Sequence, residues 1–391
     1  MAVPIAYNVR NLFVRRGTTA FSAGGIALVV AATMLLSALV DGVKQMLVAT
    51  GETDNLVVMR KGSSNDGSSV LPREAGEVVR AMAGVKTNER GEPMASAELI
   101  NQPFMLTKDG GRENVLVRGV KPVAFDVHRS VRIVEGRMLR PKLGEIVIGR
   151  AVARRYQGAR VGAQITFGRR AWTIAGVFDA GGTAFDSEIW ADVSDVQDDT
   201  RWEGYSAIRL TVAPGADRAA LTARIAADPR FALEAKPERS YYAEQSETAN
   251  SLYILVITLA TIMATGATFG ALNTMYAAVA SRTPEIGTLR ALGFPRSAIL
   301  LSFLTESLLL AACGLVVGTV LAALAVFAVN ALLQGVAFSM MTFSVATVLL
   351  KLSPNGFLLG VGFAAAIGVL GGLAPAWRAS RLRVVDALHR A

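Results

Sequence analysis

Cysteine, histidine and charge are all scarce in this chain, and each scarcity removes a class of function. Cys313 is the one cysteine in 391 residues, so no internal disulfide can form. His128 and His389 stand alone in the sequence, which speaks against a histidine-based metal site or catalytic triad. No Gly-Lys dipeptide occurs, so there is no phosphate-cradling P-loop. No metal-ligand cluster, nucleophile–base set or carboxylate pair stands at a convincing spacing. Asp198-Asp199 and Glu234/Glu238 read as solvated faces. Charged residues make up 18% of the chain against 52% hydrophobic, and mean hydropathy is +0.40, outside the usual range of soluble domains.

Charge is missing altogether from four runs, residues 17–40, 248–281, 307–350 and 352–377. A bilayer takes ~20 apolar residues, so each run is long enough to cross one. The run 307–350 exceeds one bilayer thickness and reads as a span to about Asn330 followed by an apolar, membrane-hugging loop. The first run is far longer than the ~7–15 apolar residues of a signal peptide, and Asp41-Gly42-Val43-Lys44 is a poor cleavage site. It reads as a retained anchor. The expected fold class is therefore membrane α-helical, with four transmembrane helices and a large extracytoplasmic α+β domain inserted between spans 1 and 2. The expected layout is a cytoplasmic amphipathic segment (1–16), spans at 17–43, 251–280, 299–330 and 355–377, the outside domain (44–250), a cytoplasmic loop (281–298), a short outside loop (331–354) and a cytoplasmic tail (378–391).

The net charge of +9 invites a nucleic-acid reading, but its location does not. Residues 44–250 hold 29 Lys/Arg against 27 Asp/Glu; the remainder holds 11 against 4. The basic excess flanks the spans, at Arg10, Arg15 and Arg16, at Arg282, Arg290 and Arg296, and at Arg378, Arg381, Arg383 and Arg390, whereas the loop between spans 3 and 4 has only Lys351. Short loops rich in Lys/Arg stay cytoplasmic, which places both termini and the 281–298 loop inside and the 44–250 domain outside. No nucleic-acid partner is expected; the contact is with membrane lipid.

In the outside domain, Asn55–Arg60, Ala207–Val212 and Phe231–Ala235 read as strands, and Leu71–Met82 and Pro214–Ala227 as helices. Two strand–helix units bracketing an insertion suggest a split, ferredoxin-like sheet over 50–91 and 201–245. The insertion, 92–200, reads as mostly β, with strands at Glu145–Ile148, Gln164–Phe167 and Ala171–Phe178. Trp172, Trp190 and Trp202 read as core.

The cytoplasmic loop carries the sharpest local signal. Thr283 can cap a helix, Pro284 fits its first position, Glu285 suits the positive end of the helix dipole, and Gly293 offers a left-handed stop. The helix would be about nine residues and ~13 Å long. Ile286, Leu289 and Leu292 form an apolar stripe, with Glu285 and Arg290 beside it. Such a helix could lie on lipid or dock in a groove of a cytoplasmic partner. Glu306 is the one acidic residue inside an apolar run, about two turns from Arg296, and reads as a paired intramembrane carboxylate. Gly314/Gly318 and Gly356/Gly360 have the spacing that lets helices pack closely. Cys313 reads as a small apolar filler.

Taken in order, these pieces resemble the permease subunits of FtsX/MacB-type ABC transporters, which include the lipoprotein-releasing permeases. Asn8–Arg16 with Gly25-Ile26 is similar to the family's first span and its approach. Gly144–Arg150, Val161-Gly162 and Ile174–Phe178 resemble its MacB-like periplasmic core. Asn273-Thr-Met275, Arg282 and Glu285–Gly293 look like its signature after the second span. Glu306 and Gly314/Gly318 match the third span. Pro375-Ala376, Arg378-Ala379 and Asp386-Ala387-Leu388 match the tail. Pro284 stands where the family usually has a polar residue, and Val384-Val385-Asp386 where it tends to have Pro and Glu. The resemblance implies that residues 284–292 are a coupling helix docked on a separate ABC ATPase, which holds ATP and magnesium. This chain itself is then neither an enzyme nor a cofactor binder. It further implies two ATPase copies, a second permease as homo- or heterodimer, and a site in the bacterial inner membrane. The implied action is mechanotransmission, ATP-driven movement relayed to the periplasmic domain for export or extraction of an amphiphilic drug, lipid or lipoprotein. A periplasmic adaptor with an outer-membrane channel, or a lipoprotein chaperone, would be the outer partner. The alternative is a non-transporting regulator that relays ATPase cycles to a partner such as a cell-wall hydrolase.

Overall fold

The computed structural model describes residues 16–247, 250–333, 335–340 and 343–382. The amphipathic segment expected at 1–16 falls outside these residues but for Arg16, as does the tail motif Asp386-Ala387-Leu388. The chain forms two compact units, one of residues up to Asp41 with Asn250–Leu333 and the chain from Leu350, the other of Gly42–Ala249 with Gln334–Leu349.

Helix α1 (Arg16–Thr50) opens the described chain and contributes to both units. It outlasts the expected span by seven residues, so Lys44 is helical as well as Asp41. The second unit then builds one large sheet from β1 (Asn55–Arg60), β2 (Ala95–Asn101), β5 (Leu116–Val120), β6 (Arg132–Gly136), β7 (Glu145–Gly149), β8 (Gln164–Phe167), β9 (Arg170–Asp179), β10 (Glu188–Asp192), β11 (Ala207–Thr211) and β12 (Leu233–Pro237). A small hairpin, β3 (Phe104–Leu106) and β4 (Arg112–Asn114), stands apart. The strand order is β12-β1-β11-β2-β5-β10-β7-β9-β6, with β8 on β9. Helices α2 (Arg73–Arg80), α3 (Ala124–Val127), α4 (Arg150–Arg155), α5 (Val193–Thr200), α6 (Arg218–Ala226) and α7 (Glu238–Glu247) complete the unit.

The first four strands in that order are mutually antiparallel. With α2 between β1 and β2 and α6 between β11 and β12, they form a split βαβ pair. The insertion begins later than expected: β2 falls inside the 92–200 segment yet belongs to the core half, pairing β11 on one side and β5 on the other. Its sequence, Ala-Ser-Ala-Glu-Leu-Ile-Asn, has no clean apolar alternation, because both faces are covered and β2 buries its first five positions. The insertion continues the same sheet instead of forming a separate one, joined through the β2–β5 pairing.

One face of the sheet carries a core through Leu56, Leu99, Ile148, Trp172 and Ile208. A second cluster gathers Phe178, Phe185 and Trp190. Trp172 stacks on Phe167 at 5.0 Å. Trp202 does not join them: it is 44% exposed, following Arg201, whose left-handed backbone turns the chain away at the end of α5.

The remaining helices are α8 (Asn250–Ser281), α9 (Thr283–Ala291), α10 (Arg296–Ala328) and α11 (Pro354–Ser380). Four stretches are long and apolar enough to cross a membrane by length and composition, at Thr19–Thr50, Glu238–Ser281, Arg296–Leu333 and Pro354–Ser380. The membrane-hugging loop expected after Asn330 is a β-hairpin instead, β13 (Val336–Met340) paired with β14 (Phe343–Val348). Its alternating β-branched and aromatic residues suit a strand. The Asn330 side chain donates to Leu350 O at 2.8 Å and accepts from Leu350 N at 3.1 Å.

Candidate functional site

The first site is the turn from α8 into α10, built around α9. Only Arg282 separates α8 from α9, so Thr283 does not cap α9 as expected. Its hydroxyl instead donates to Ala280 O at 2.9 Å, back into the last turn of α8. Pro284 occupies the first turn, where its missing N–H costs no helical bond. Gly293 ends the helix at φ 90°, which lets Phe294 N reach Leu289 O at 3.1 Å. Arg290 donates to Phe294 O at 3.2 Å across the same corner.

The apolar stripe divides by depth. Ile286 is buried among Met275, Val279, Ile299 and Phe303, and Leu289 is half-buried beside it. Leu292, expected on the same stripe, is 70% exposed. Glu285, Thr288 and Leu292 form the outward face, at helical spacing. A small cleft between α9 and α10 is lined by Arg282, Glu285, Ile286, Leu289, Ile299 and Phe303.

Glu306 has a partner, but it is Arg282 and not Arg296, which is exposed. Arg282 Nη1 and Nη2 donate to Glu306 Oε2 and Oε1 at 2.8 and 3.1 Å, a two-pronged pair buried at both ends. The fork fixes orientation as well as distance, tying the start of α9 to the first third of α10.

The glycine pairs meet one helix. A methyl group at Gly314 would sit 2.7 Å from Ile26 Cβ, and one at Gly318 2.6 Å from Ala27 O. At Gly356 it would lie 2.9 Å from Ser37 Cβ, and at Gly360 3.3 Å from Val30 Cγ1. Both α10 and α11 therefore pack closely on α1. Asp41, read in the sequence only as part of a poor cleavage site, accepts from Tyr253 of α8 and Ser353 at the start of α11. Cys313, read as a small apolar filler, is exposed.

The second site lies in the second unit, at its large sheet, and was missed in sequence. Asp66, Glu98, Arg118, Glu188, Arg209 and Glu238 are all buried together. Arg118 donates to both oxygens of Glu188 at 2.7 and 2.6 Å and to Glu98 Oε2 at 2.9 Å. Arg209 donates to the same Glu98 oxygen at 2.6 Å and to Asp66 Oδ2 at 2.8 Å. Its Nε lies 3.2 Å from Glu238 Oε1, close enough for ion-pair attraction but misaligned for a hydrogen bond. His128 Nε2 is 2.8 Å from Glu98 Oε1, with the ring edge-on to Phe185 and Trp190.

Four carboxylates face two guanidiniums, and neutral donors meet part of the excess: Trp190 Nε1 to Glu188, and Glu52 N and Asn55 Nδ2 to Glu238. Burial alone would raise the Glu98 carboxyl, but Arg209, His128 and Arg118 hold it well below the usual range. Asp66 is likewise lowered against its burial by Arg209 and Arg118. Glu238 and Asp199, expected on solvated faces, are buried; Asp199 accepts from Arg169 N at 2.7 Å. Glu234 is half-buried and Asp198 exposed. The available signal was a charge between apolar neighbours inside a strand, as in Val117-Arg118 and Ile208-Arg209-Leu210. Among the described residues, no group of three His, Cys, Asp or Glu side chains is placed to hold a metal.

Residues 19–228 match the family model described as the MacB-like periplasmic core domain, and residues 257–384 the one described as the FtsX-like permease C-terminal. The macrolide export ATP-binding/permease protein MacB of Bdellovibrio bacteriovorus is 33% identical over 144 residues, 37% of this chain and 20% of that protein. The uncharacterized ABC transporter permease YvrN of Bacillus subtilis is 31% identical over 155 residues, 38% of this chain and 33% of that protein. The chain thus spans about a fifth to a third of the length of these relatives. The periplasmic region of MacB from Actinobacillus actinomycetemcomitans has 10% identity and a TM-score of 0.39, over 49% of this chain and 92% of that one.

Proposed function

Because the chain belongs to the FtsX/MacB-type ABC transporter permeases, we propose that it receives movement from a separate ATPase at α9 and delivers it to its outside domain. ATP and magnesium are held by that partner, in two copies, and the permease works as a homo- or heterodimer in the bacterial inner membrane. The basic loops put both termini and α9 on the cytoplasmic side. The output is export or extraction of an amphiphilic substrate from the outer side of that membrane, in line with the macrolide export named for relatives. An adaptor or lipoprotein chaperone is the partner there.

One observation carries this reading. α9 is fastened from within, by Ile286 in its apolar seat and by the Arg282–Glu306 fork, and it leaves Glu285, Thr288 and Leu292 outward. A helix resting on lipid turns its apolar face outward into the bilayer surface. Here Ile286 and Leu289 turn inward, and the outward face mixes the polar Glu285 and Thr288 with one apolar residue, Leu292, as suits a protein groove. A push on α9 then passes to α8 and α10, which it contacts through rigid groups. Leu292→Asp tests this. The exposed site predicts a stability change within about 0.5 kcal/mol, while affinity for the partner ATPase falls at least ~10-fold, the loss of one interface anchor. Co-purification and titration of the ATPase onto nanodisc-embedded permease measure both. Unchanged affinity would sink the docking assignment.

A further inference from the structure

The chain enters the outside domain at the end of α1 and leaves it along α7, and these two crossings touch. Gly51, directly after α1, lies against the first turn of α7: a Cβ at this position would be 2.9 Å from both N and Cα of Arg239 and 3.0 Å from Glu238 C. Those are backbone atoms, which cannot swing aside. Arg239 Nε donates to Gly51 O at 3.3 Å. One residue on, Glu52 N donates to Glu238 Oε2 at 3.0 Å, and Asn55 Nδ2 donates to the same oxygen at 3.1 Å. Thr50, the last residue of α1, accepts from Ala184 N at 3.0 Å.

Glu238 also faces inward. Its other oxygen lies by Arg209 in β11, and from Arg209 the ion pairs run through Glu98 to Arg118 in β5 and Glu188 in β10. A continuous chain of charged groups therefore joins the two crossings to the middle of the sheet.

We propose that Gly51, Glu238 and Arg239 form a clamp that locks the outer end of α1 to the start of α7, so that the two helices move as one body with the sheet. Gly51 permits the backbone approach, Glu238 bridges both crossings to Arg209, and Arg239 closes the outside. Each is a positioning residue. The clamp stands on geometry alone; its place in the path of force rests on the function proposed above.

The test uses the full chain in nanodiscs with its partner ATPase, in a Cys313→Ser background. Nitroxide labels go on the exposed positions Gln45 and Ser240, each changed to Cys, one on each side of the clamp. Electron–electron distance measurement gives one narrow distribution in the parent, the same without nucleotide and with ATP plus vanadate. Gly51→Val broadens or splits that distribution while the ATPase stays bound and hydrolyses ATP. Glu238→Ala, which keeps the backbone contact, gives a lesser broadening and serves if Gly51→Val does not fold. A parent distribution that shifts with nucleotide overturns the clamp, as does an unchanged distribution in the folded variants. The nucleotide-free comparison needs no ATPase, so it reads the clamp even if Leu292→Asp leaves docking intact. Failure of docking and failure of the clamp are thereby separated.

Discussion

Arg209 is a fully buried cation in the middle of a strand, touching three carboxylates. Removing it strands Asp66, Glu98 and Glu238 in low dielectric, which costs more than the pair is worth in isolation. Arg209→Met is expected to cost the sheet-bearing unit about 3–5 kcal/mol, the range for breaking a buried pair. Denaturant unfolding followed by emission of the buried Trp172 and Trp190 measures it; a loss under ~1 kcal/mol is within the scatter of ordinary substitutions and would count against the cluster. The sequence hides this residue for a physical reason. Ile208-Arg209-Leu210 looks like a half-exposed strand with its charge outward. A central strand covered on both faces buries every position, and β11 does so. Glu238 and His128 were similarly obscured, because their partners lie far away along the chain. Glu306 could be read as paired, but Arg282 could not be chosen over Arg296 without knowing that the chain turns back at Ser281.

Among the elements, α9 was legible to within a residue because Pro, Gly and an apolar repeat all act locally. Its cap was not, since the handover from α8 uses one residue. The hairpin of β13 and β14 was obscured because an apolar stretch of β-branched residues fits a loop at the membrane surface as well as a strand. The glycine pairs were visible as spacing, while the helix they contact was not: both pairs meet α1. Gly318→Val places a branched side chain against Ala27 O and Val30, and overpacking of this kind costs about 1–3 kcal/mol. Thermal unfolding in detergent should show a lower midpoint. Gly362→Val, at a position with nothing within 4 Å of its would-be Cβ, should match the parent. Equal effects from the two would mean that valine, and not the α1 contact, is the cause.

At the scale of the whole molecule, the charge-free runs made the four long apolar helices legible, since runs of hydrocarbon length cannot be hidden. Strand order was only half legible: the split βαβ pair could be read, but the point where the insertion joins β2 depends on non-local pairing. The charge cluster gives the domain an acid limit. Glu98 and Asp66 have folded pKa values below their ordinary values of 4.5 and 3.8. Groups lowered on folding stabilise fully above the unfolded value and lose that contribution as pH falls. Domain stability should be level from pH 7 to about 5 and drop steadily below about 4.5. An unfolding midpoint that rises on acidification would contradict this sign. The cluster also bears on synthesis. Its members run from Asp66 to Glu238 and converge on one spot, so no shorter nascent segment holds a complete set of charges. Glu238 comes twelve residues before α8 begins at Asn250. The cluster is thus completed last at Glu238: a chain cut short before it keeps Asp66 and Glu98 on Arg209 but lacks the carboxylate that takes up Glu52 N and Asn55 Nδ2.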